Sequence, residues 1–421
     1  MREMNRILWV KVGGLWPLNT GGRLRSFHIL SELTHRRRVI VATTHGPGDD
    51  PQGLAAALPR AERVISVPYA PPRPGSARFA TAVLRSWLSP FPMHFWRWRV
   101  SELHGQVTRI MTAGSVDLCV VDFLHTTPNV HFAASIPTIL FAHNVEHVIW
   151  KRLRKIETRA WRQAVLELEW RKVRRWEARA CSQAGLTVAV SEVDRETLTA
   201  LAPRARVCAI PTGVDTAYFN PNGVQEVPGG LVFTGAMDWY PNEDAMLYFM
   251  EAILPAIRRE IPMASLTVVG RSPTSRLQTA AARASVRVTG AVEDVRPYVA
   301  EAAVYVVPLR VGGGTRLKIF EALAMGKGVV STTVGAEGLP LVPGEHFLRA
   351  DDPTEFARAV VALLRDSSRR RALGTAGRRL VEQRFSWSQV AREFEARCLD
   401  AVASTGQQGD ATPKGSAYPC A

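Results

Sequence analysis

Gly312-Gly313-Gly314-Thr315-Arg316-Leu317-Lys318-Ile319-Phe320-Glu321 is the stretch whose reading decides the fold of this 421-residue chain. It follows an apolar, β-branched run over 303–308, which has the length of a buried strand. Three glycines let the backbone come close to a ligand, and Thr315 is suited to cap a helix running to about Met325. The positive end of that helix adds to Arg316 and Lys318 and makes a cradle fit for a diphosphate. Glu321 falls about two turns into the helix, where it can accept hydrogen bonds from sugar or ribose hydroxyls. The plainer alternative is a strand–loop–helix with basic surface residues. A Walker-type phosphate loop is excluded, because no GxxxxGK[ST] is present.

Outward from this stretch, the same strand-then-helix rhythm fills the chain. Short apolar runs predict strands over 6–12, 38–44, 63–68, 116–123, 138–142, 186–191 and 207–211, then over 231–235, 265–270, 286–289, 303–308, 328–332 and 347–348. Runs such as Asp117-Leu118-Cys119-Val120-Val121 suit parallel strands buried on both faces. Helices are expected over 243–257, 316–325, 353–365 and 368–383. Alternation of this kind predicts two doubly wound α/β domains. The turn-rich segment from Asn220 to Gly230 marks the break. The expected division is 1–219, 220–384, a terminal helix over 385–403, and a disordered Gly/Ser/Gln-rich tail over 404–421.

Composition is that of a globular protein with real cores: 46% hydrophobic and 22% charged. No run of about 18 apolar residues is present, and the start of the chain leads straight into a strand pattern, so a cytoplasmic location is expected. Five scattered cysteines with no CxxC pair argue against a disulfide framework and a zinc site. The formal charge of +15 asks for an anionic partner. Part of it lies between His147 and Arg179, where eleven Lys/Arg face four Glu and Trp150, Trp161, Trp170 and Trp176 are interleaved. The 85–99 segment, with Trp87, Trp96 and Trp98, repeats the theme. Such a region fits helices whose Trp residues pack inward, an anionic membrane surface, or stacking on nucleic acid. No nucleic-acid fold signature accompanies it, and a nucleic-acid partner is not expected.

Two further places can carry chemistry. Gly13, Gly14, Gly22 and Arg23 lie between the first strand and the first helix, where backbone amides can meet an anion; an ordinary flexible loop is the alternative. His143, Asn144 and His147 follow the strand over 138–142, at the end of a parallel strand where open α/β sheets bind ligands. The two histidines, four apart, are conceivable metal ligands, but no third ligand is evident and no metal is expected.

At Gly312–Gly335 the chain resembles a retaining glycosyltransferase of the GT-B superfamily, of the group 1, family-four-like, exopolysaccharide type, which includes sucrose-synthase-like and mannosyl-transferring enzymes. The likeness extends from Val12 to about Phe394 and takes in Gly21-Gly22-Arg23, His143, Val190-Ser191-Glu192, Pro211-Thr212-Gly213-Val214-Asp215 and Phe233-Thr234-Gly235. Val269-Gly270-Arg271, Gly290-Ala291-Val292-Glu293-Asp294 and Phe385-Ser386-Trp387 complete it. The family's pair of glutamates eight apart is represented by Glu321 alone, since Gly313 stands at the first position. The family's basic pair after the second domain's first strand is also missing from Gly235–Asn242.

The resemblance implies two Rossmann-like domains facing across a cleft, with the terminal helix crossing back to the first. It implies transfer of a sugar from a nucleoside-diphosphate donor to a glycan or lipid-linked acceptor, with retention and with no other cofactor. Catalytic roles would fall to His143, Arg316, Lys318 and Glu321. Substrate contacts would fall to Gly13, Gly14, Gly22, Arg23, Asn144, Gly235, Arg271, Val292, Gly313, Gly314 and Thr315. The setting implied is cell-surface polysaccharide synthesis, cytoplasmic or peripheral on the inner membrane. Two other functions fit the same residues: a nucleotide-sugar 2-epimerase, with Asp122, His125 and Glu146 as acid–base groups, and a non-catalytic subunit of a polysaccharide assembly.

Overall fold

The computed structural model describes residues 4–72, 91–132, 136–157, 159–221, 223–311 and 317–408, with scattered positions between 76 and 89. The chain forms two compact units, Met1–Ile210 with Ala391–Ala421, and Pro211–Val390. The turn expected to divide them at 220 thus lies inside the second unit. The segment before it is held there by the Val214 amide, which donates to the Phe385 carbonyl at 2.8 Å.

In the first unit seven strands make one parallel sheet: β1 (Arg6–Lys11), β2 (Arg38–His45), β3 (Arg63–Pro68), β4 (Leu118–Asp122), β5 (Thr138–Phe141), β6 (Leu186–Ala189) and β7 (Val207–Ala209), in the order β3-β2-β1-β4-β5-β6-β7. Strands covered on both faces need apolar side chains on both faces, which is why Ile7 to Val10 and Leu118 to Val121 are buried without alternation. The order reverses between β1 and β4, so the crevice for a ligand opens beyond their carboxyl ends. Register there pairs Lys11 with Asp122.

The second unit repeats the plan with six parallel strands: β8 (Gly230–Thr234), β9 (Ser265–Val269), β10 (Arg287–Val288), β11 (Val304–Val307), β12 (Gly328–Ser331) and β13 (Leu348–Arg349), in the order β10-β9-β8-β11-β12-β13. That is the dinucleotide-fold order, with its switch point between β8 and β11. All thirteen expected strands are present. The expected helix over 243–257 is instead broken into Tyr240–Tyr248, a π turn Phe249–Ile253 and Leu254–Glu260. Pro255 has no amide hydrogen to continue the ladder, so the helix widens before it and restarts.

The last helix, Trp387–Gln408, runs past the expected end at 403. The Ser404 hydroxyl donates to the Asp400 carbonyl at 2.7 Å and so follows the helix. From Ala391 onward the helix belongs to the first unit. There Phe394 lies against Trp9 and Phe141, with ring centres at 5.6 and 5.1 Å. Glu395 accepts from Arg36 and Arg37 at 2.7 and 2.6 Å. The tail expected to be disordered lies, from residue 409, outside the described residues.

Candidate functional site

In the first unit the site grows from the carboxyl ends of β1, β4 and β5. Asp122 ends β4, is fully buried, and takes three partners. The Trp9 indole donates to it at 2.9 Å, His143 Nε2 lies at 2.7 Å, and Lys11 Nζ at 3.7 Å. Burial alone would raise the Asp122 carboxyl, but Lys11 and His143 outweigh it and hold the group below the usual carboxylate range. Burial lowers Lys11 to about 8, even though Asp122 opposes it. Burial also lowers His143 to about 4, with Asp122 again opposing. The imidazole is therefore neutral at pH 7. With Nε2–H donating to Asp122, Nδ1 is left as an acceptor that suits a hydroxyl.

The ring is fixed further by Phe123, which stacks on it at 3.8 Å and 6° and lies 3.9 Å from Lys11 Nζ. Phe123 has a φ of +72°, an uncommon conformation for a side-chain-bearing residue. Gly22 makes room for it, since a Cβ there would come within 2.5 Å of the Phe123 ring. Gly13 and Gly14 both hold positive φ, at +86° and +75°. Arg23 braces their loop: it pairs with Asp49 at 2.6 Å and donates to the Gly13 carbonyl at 2.8 Å. Its charge is thus already met within the loop.

Asn144 donates to Glu146 at 3.4 Å. Burial first, and then nearby Glu177, raise Glu146 to about 7. Glu177, from the helix Ala160–Gln183, accepts from the amides of Glu146 and His147 at 2.8 and 3.1 Å. His147 Nδ1 reaches the same carboxylate at 2.6 Å. His143 and His147 therefore answer to different carboxylates. Among the described residues no group of three or more His, Cys, Asp or Glu is placed to hold a metal. His125, offered as an acid–base group, sits against Phe123 and Trp98 at 5.0 and 5.6 Å, and burial pushes it well below its ordinary value.

In the second unit the site lies beyond β8. Gly313, Gly314, Thr315 and Arg316 lie outside the described residues; Lys318 and Glu321 stand on the helix Leu317–Ala324. Lys318 Nζ donates to Asn242 Oδ1 at 2.8 Å and rests 3.9 Å from the Phe233 ring centre. Asn242 in turn donates to the Ala236 carbonyl at 2.8 Å. The ammonium thus stands at the end of β8, where Gly235–Asn242 itself supplies no cation. Burial raises Glu321 to about 7, with Lys318 opposing. Next to it Tyr305, fully buried, shares a hydrogen bond with Thr234 at 2.5 Å. Arg271 is exposed, and its carbonyl accepts from the Met237 amide at 2.9 Å. Val292 is half-buried against the second core.

Two glycines make this arrangement possible, and they differ in kind. A Cβ on Gly235 would meet the ends of Asn242 and Lys318 at 2.7 and 2.8 Å. One on Gly270 would lie 1.7 Å from the Gly235 carbonyl oxygen, which is backbone. Gly270→Ala is therefore expected to cost about 3 kcal/mol of stability, because backbone must move. Gly235→Ala displaces only the ends of the Asn242 and Lys318 side chains, so a smaller loss of stability is expected. Denaturant unfolding of the two variants checks this difference.

Asn242, Lys11 and Glu177 escaped the sequence reading as site residues. Each acts through a partner distant in sequence, so spacing alone gave no signal.

Comparison with known proteins places these sites in a family setting. Residues 25–218 match the family model described as Glycosyltransferase Family 4, and residues 228–366 match Glycosyl transferases group 1. A phosphatidyl-myo-inositol mannosyltransferase of Mycobacterium leprae is 30% identical over 232 residues, which are 52% of this chain and 60% of that protein. The match thus spans less than two thirds of that relative's length. Sucrose-phosphate synthase from Thermosynechococcus elongatus superimposes with a TM-score of 0.65 at 17% identity, over 95% of this chain and 100% of that one. An Anabaena protein crystallised with UDP and glucose gives a TM-score of 0.61 at 14% identity, over 94% and 100%. These two likenesses concern the fold, which is the pair of Rossmann-like domains called GT-B.

Proposed function

We propose that this chain, which belongs to the group 1 glycosyltransferases with a family 4 first domain, moves a sugar from a nucleoside-diphosphate donor to a glycan or lipid-linked acceptor with retention. The observation that carries the reading is Lys318. Its ammonium stands beyond β8, braced by Asn242 over a space kept open by Gly235, with Glu321 one turn further along the helix. A diphosphate leaving group needs fixed positive charge where its own charge develops, and a preorganised ammonium supplies it without a metal or other cofactor. Glu321 would take the ribose hydroxyls, and Arg316 would add a second cation. In the first unit, neutral His143 would accept from a donor-sugar hydroxyl while Asp122 holds its tautomer. The leaving phosphate would take the acceptor's proton.

Donor binding carries a pH signature. Glu321 binds its proton more tightly in the native state, at about 7, than in the unfolded chain near 4.5. Its contribution to stability is therefore full below about 4.5 and is lost as pH rises through about 7, on the order of 3 kcal/mol. Ribose hydroxyls favour the ionised form, so affinity for the nucleoside diphosphate rises over the same range. Glu321→Gln is expected to flatten both trends; Glu146 has the same sign and remains in both proteins as a common background. Thermal unfolding and nucleotide titration at pH 5, 6, 7 and 8 check this. A profile unchanged by Glu321→Gln counts against the assigned role.

The helical hairpin Glu146–Ile156 and Ala160–Gln183 supports the reading of an acceptor at a membrane surface. Ile149, Leu153, Trp161, Val165 and Leu168 are exposed along it among basic residues, and Trp161 is 65% exposed. Trp176, by contrast, turns inward and donates to Thr127 at 2.8 Å. No helix among the described residues is long and apolar enough to cross a membrane. A role in cell-surface polysaccharide synthesis fits such a location. Incubation with a panel of nucleotide sugars tests the reading as a whole. Release of nucleoside diphosphate that depends on an acceptor supports it. Conversion of a donor to its 2-epimer without acceptor would replace it with the epimerase.

A further inference from the structure

On the first unit a cavity of about 380 Å³, whose lining includes neither Asp122 nor His143, is walled by Lys151, Arg152, Lys155, Trp170, Arg174 and Thr197. Three helices supply the walls: Glu146–Ile156, Ala160–Gln183 and Glu192–Leu201. Four of the lining side chains are Lys or Arg, and none of the four has a carboxylate within ion-pair distance among the described residues. The same hairpin does carry carboxylates. Glu167 pairs with Arg154 and Arg171, both at 2.7 Å, outside the cavity lining. Glu177 is taken up by His147 and two backbone amides. Arg152 also acts at longer range on Asp194, favouring its ionised form.

Like charges one turn apart on one helix repel, as Lys151 and Lys155 do, and Arg174 adds a third from the facing helix. An arrangement of this kind lowers its energy by binding an anion. Trp170 gives a second sign. Its Nε1–H is shielded from solvent and meets no acceptor among the described residues, although it lines the same cavity. Two lysine ammoniums as point charges, two guanidinium forks and an indole N–H form a set of donors suited to a tetrahedral, multiply charged oxyanion. The volume accommodates a diphosphate or a phosphorylated sugar.

We propose that this cavity binds a phosphomonoester or diphosphate group carried by the acceptor, at a place separate from the nucleotide diphosphate. The word acceptor rests on the transferase reading above; the binding of phosphate does not. Calorimetric titration of the full chain with inorganic pyrophosphate tests it, in a Lys318→Ala background that silences the second unit's own site. The expected result is binding that falls at least tenfold when Lys151→Gln, Lys155→Gln and Arg174→Gln are added. Equal binding with and without the three substitutions overturns the proposal. These residues are exposed, and an unchanged melting temperature confirms that the triple variant is folded.

Vesicles identify the source of the phosphate. Phosphatidylcholine vesicles carrying phosphatidic acid are compared with vesicles carrying phosphatidylserine at matched charge. A severalfold preference for phosphatidic acid, lost in the triple variant, assigns a lipid phosphate. Loss of pyrophosphate binding without any vesicle preference assigns a soluble phosphorylated glycan. If no nucleotide sugar is turned over while pyrophosphate binding still depends on the three residues, the transferase reading fails and the phosphate site stands.

Discussion

Lys318→Ala is expected to lower kcat/KM for the nucleotide-sugar donor by about 10²–10³-fold, with the fold intact. Removing one preorganised donor from a site of developing charge typically has this effect, which corresponds to about 2.7–4 kcal/mol. The Lys318 ammonium lies 2.8 Å from Asn242 Oδ1, at the end of the strand that leads the second sheet. The variant keeps the helix Leu317–Ala324, whose buried face is Ile319, Phe320, Ala322, Leu323 and Ala324 and does not include Lys318. Lys318→Arg keeps the charge but not the compact point-like head, so a smaller loss is expected. Steady-state kinetics with a circular-dichroism control checks both. A kcat/KM for Lys318→Ala within threefold of the parent would remove the lysine from the diphosphate.

Asp122→Ala has the largest expected effect on stability, about 3–5 kcal/mol. The substitution leaves Lys11 buried at 3% exposure without its counter-charge, and it orphans the Trp9 indole and His143 Nε2. Asp122→Asn retains an acceptor for Trp9 and is expected to cost less. It also offers His143 a donor as readily as an acceptor, so the histidine's tautomer is no longer fixed and activity falls further than stability. Urea unfolding of the two variants measures the first expectation, and kcat on Asp122→Asn the second. A loss below about 1 kcal/mol for Asp122→Ala would mean that Lys11 finds another partner.

Much of the fold was legible because parallel strands covered on both faces must be apolar throughout. Val304 to Val307 and Leu118 to Val121 could be read as strands one at a time, without knowing their neighbours. Neighbours were the part that local pattern could not supply. Trp9 and Asp122 are 113 residues apart, and they meet because β4 lies beside β1. From sequence, Asp122 was only a candidate acid–base group; in the structure it holds His143 in place. The basic pair absent from Gly235–Asn242 has a comparable explanation. Part of its charge arrives from Lys318, 76 residues beyond Asn242, and the asparagine fixes it. Gly22 and Arg23 are expected as ligand contacts because a glycine-rich loop follows the first strand. The structure gives them internal roles as well, as space for Phe123 and as a partner for Asp49.

Calorimetric titration with UDP, GDP and ADP, on the parent protein and on Lys318→Ala, tests the central claim most directly. The expected result is one nucleoside diphosphate bound far more tightly than the other two, weakened at least tenfold by the substitution. If none of the three binds at millimolar concentration, or if the bound one is indifferent to Lys318→Ala, the second unit is not a nucleotide-sugar site of this design.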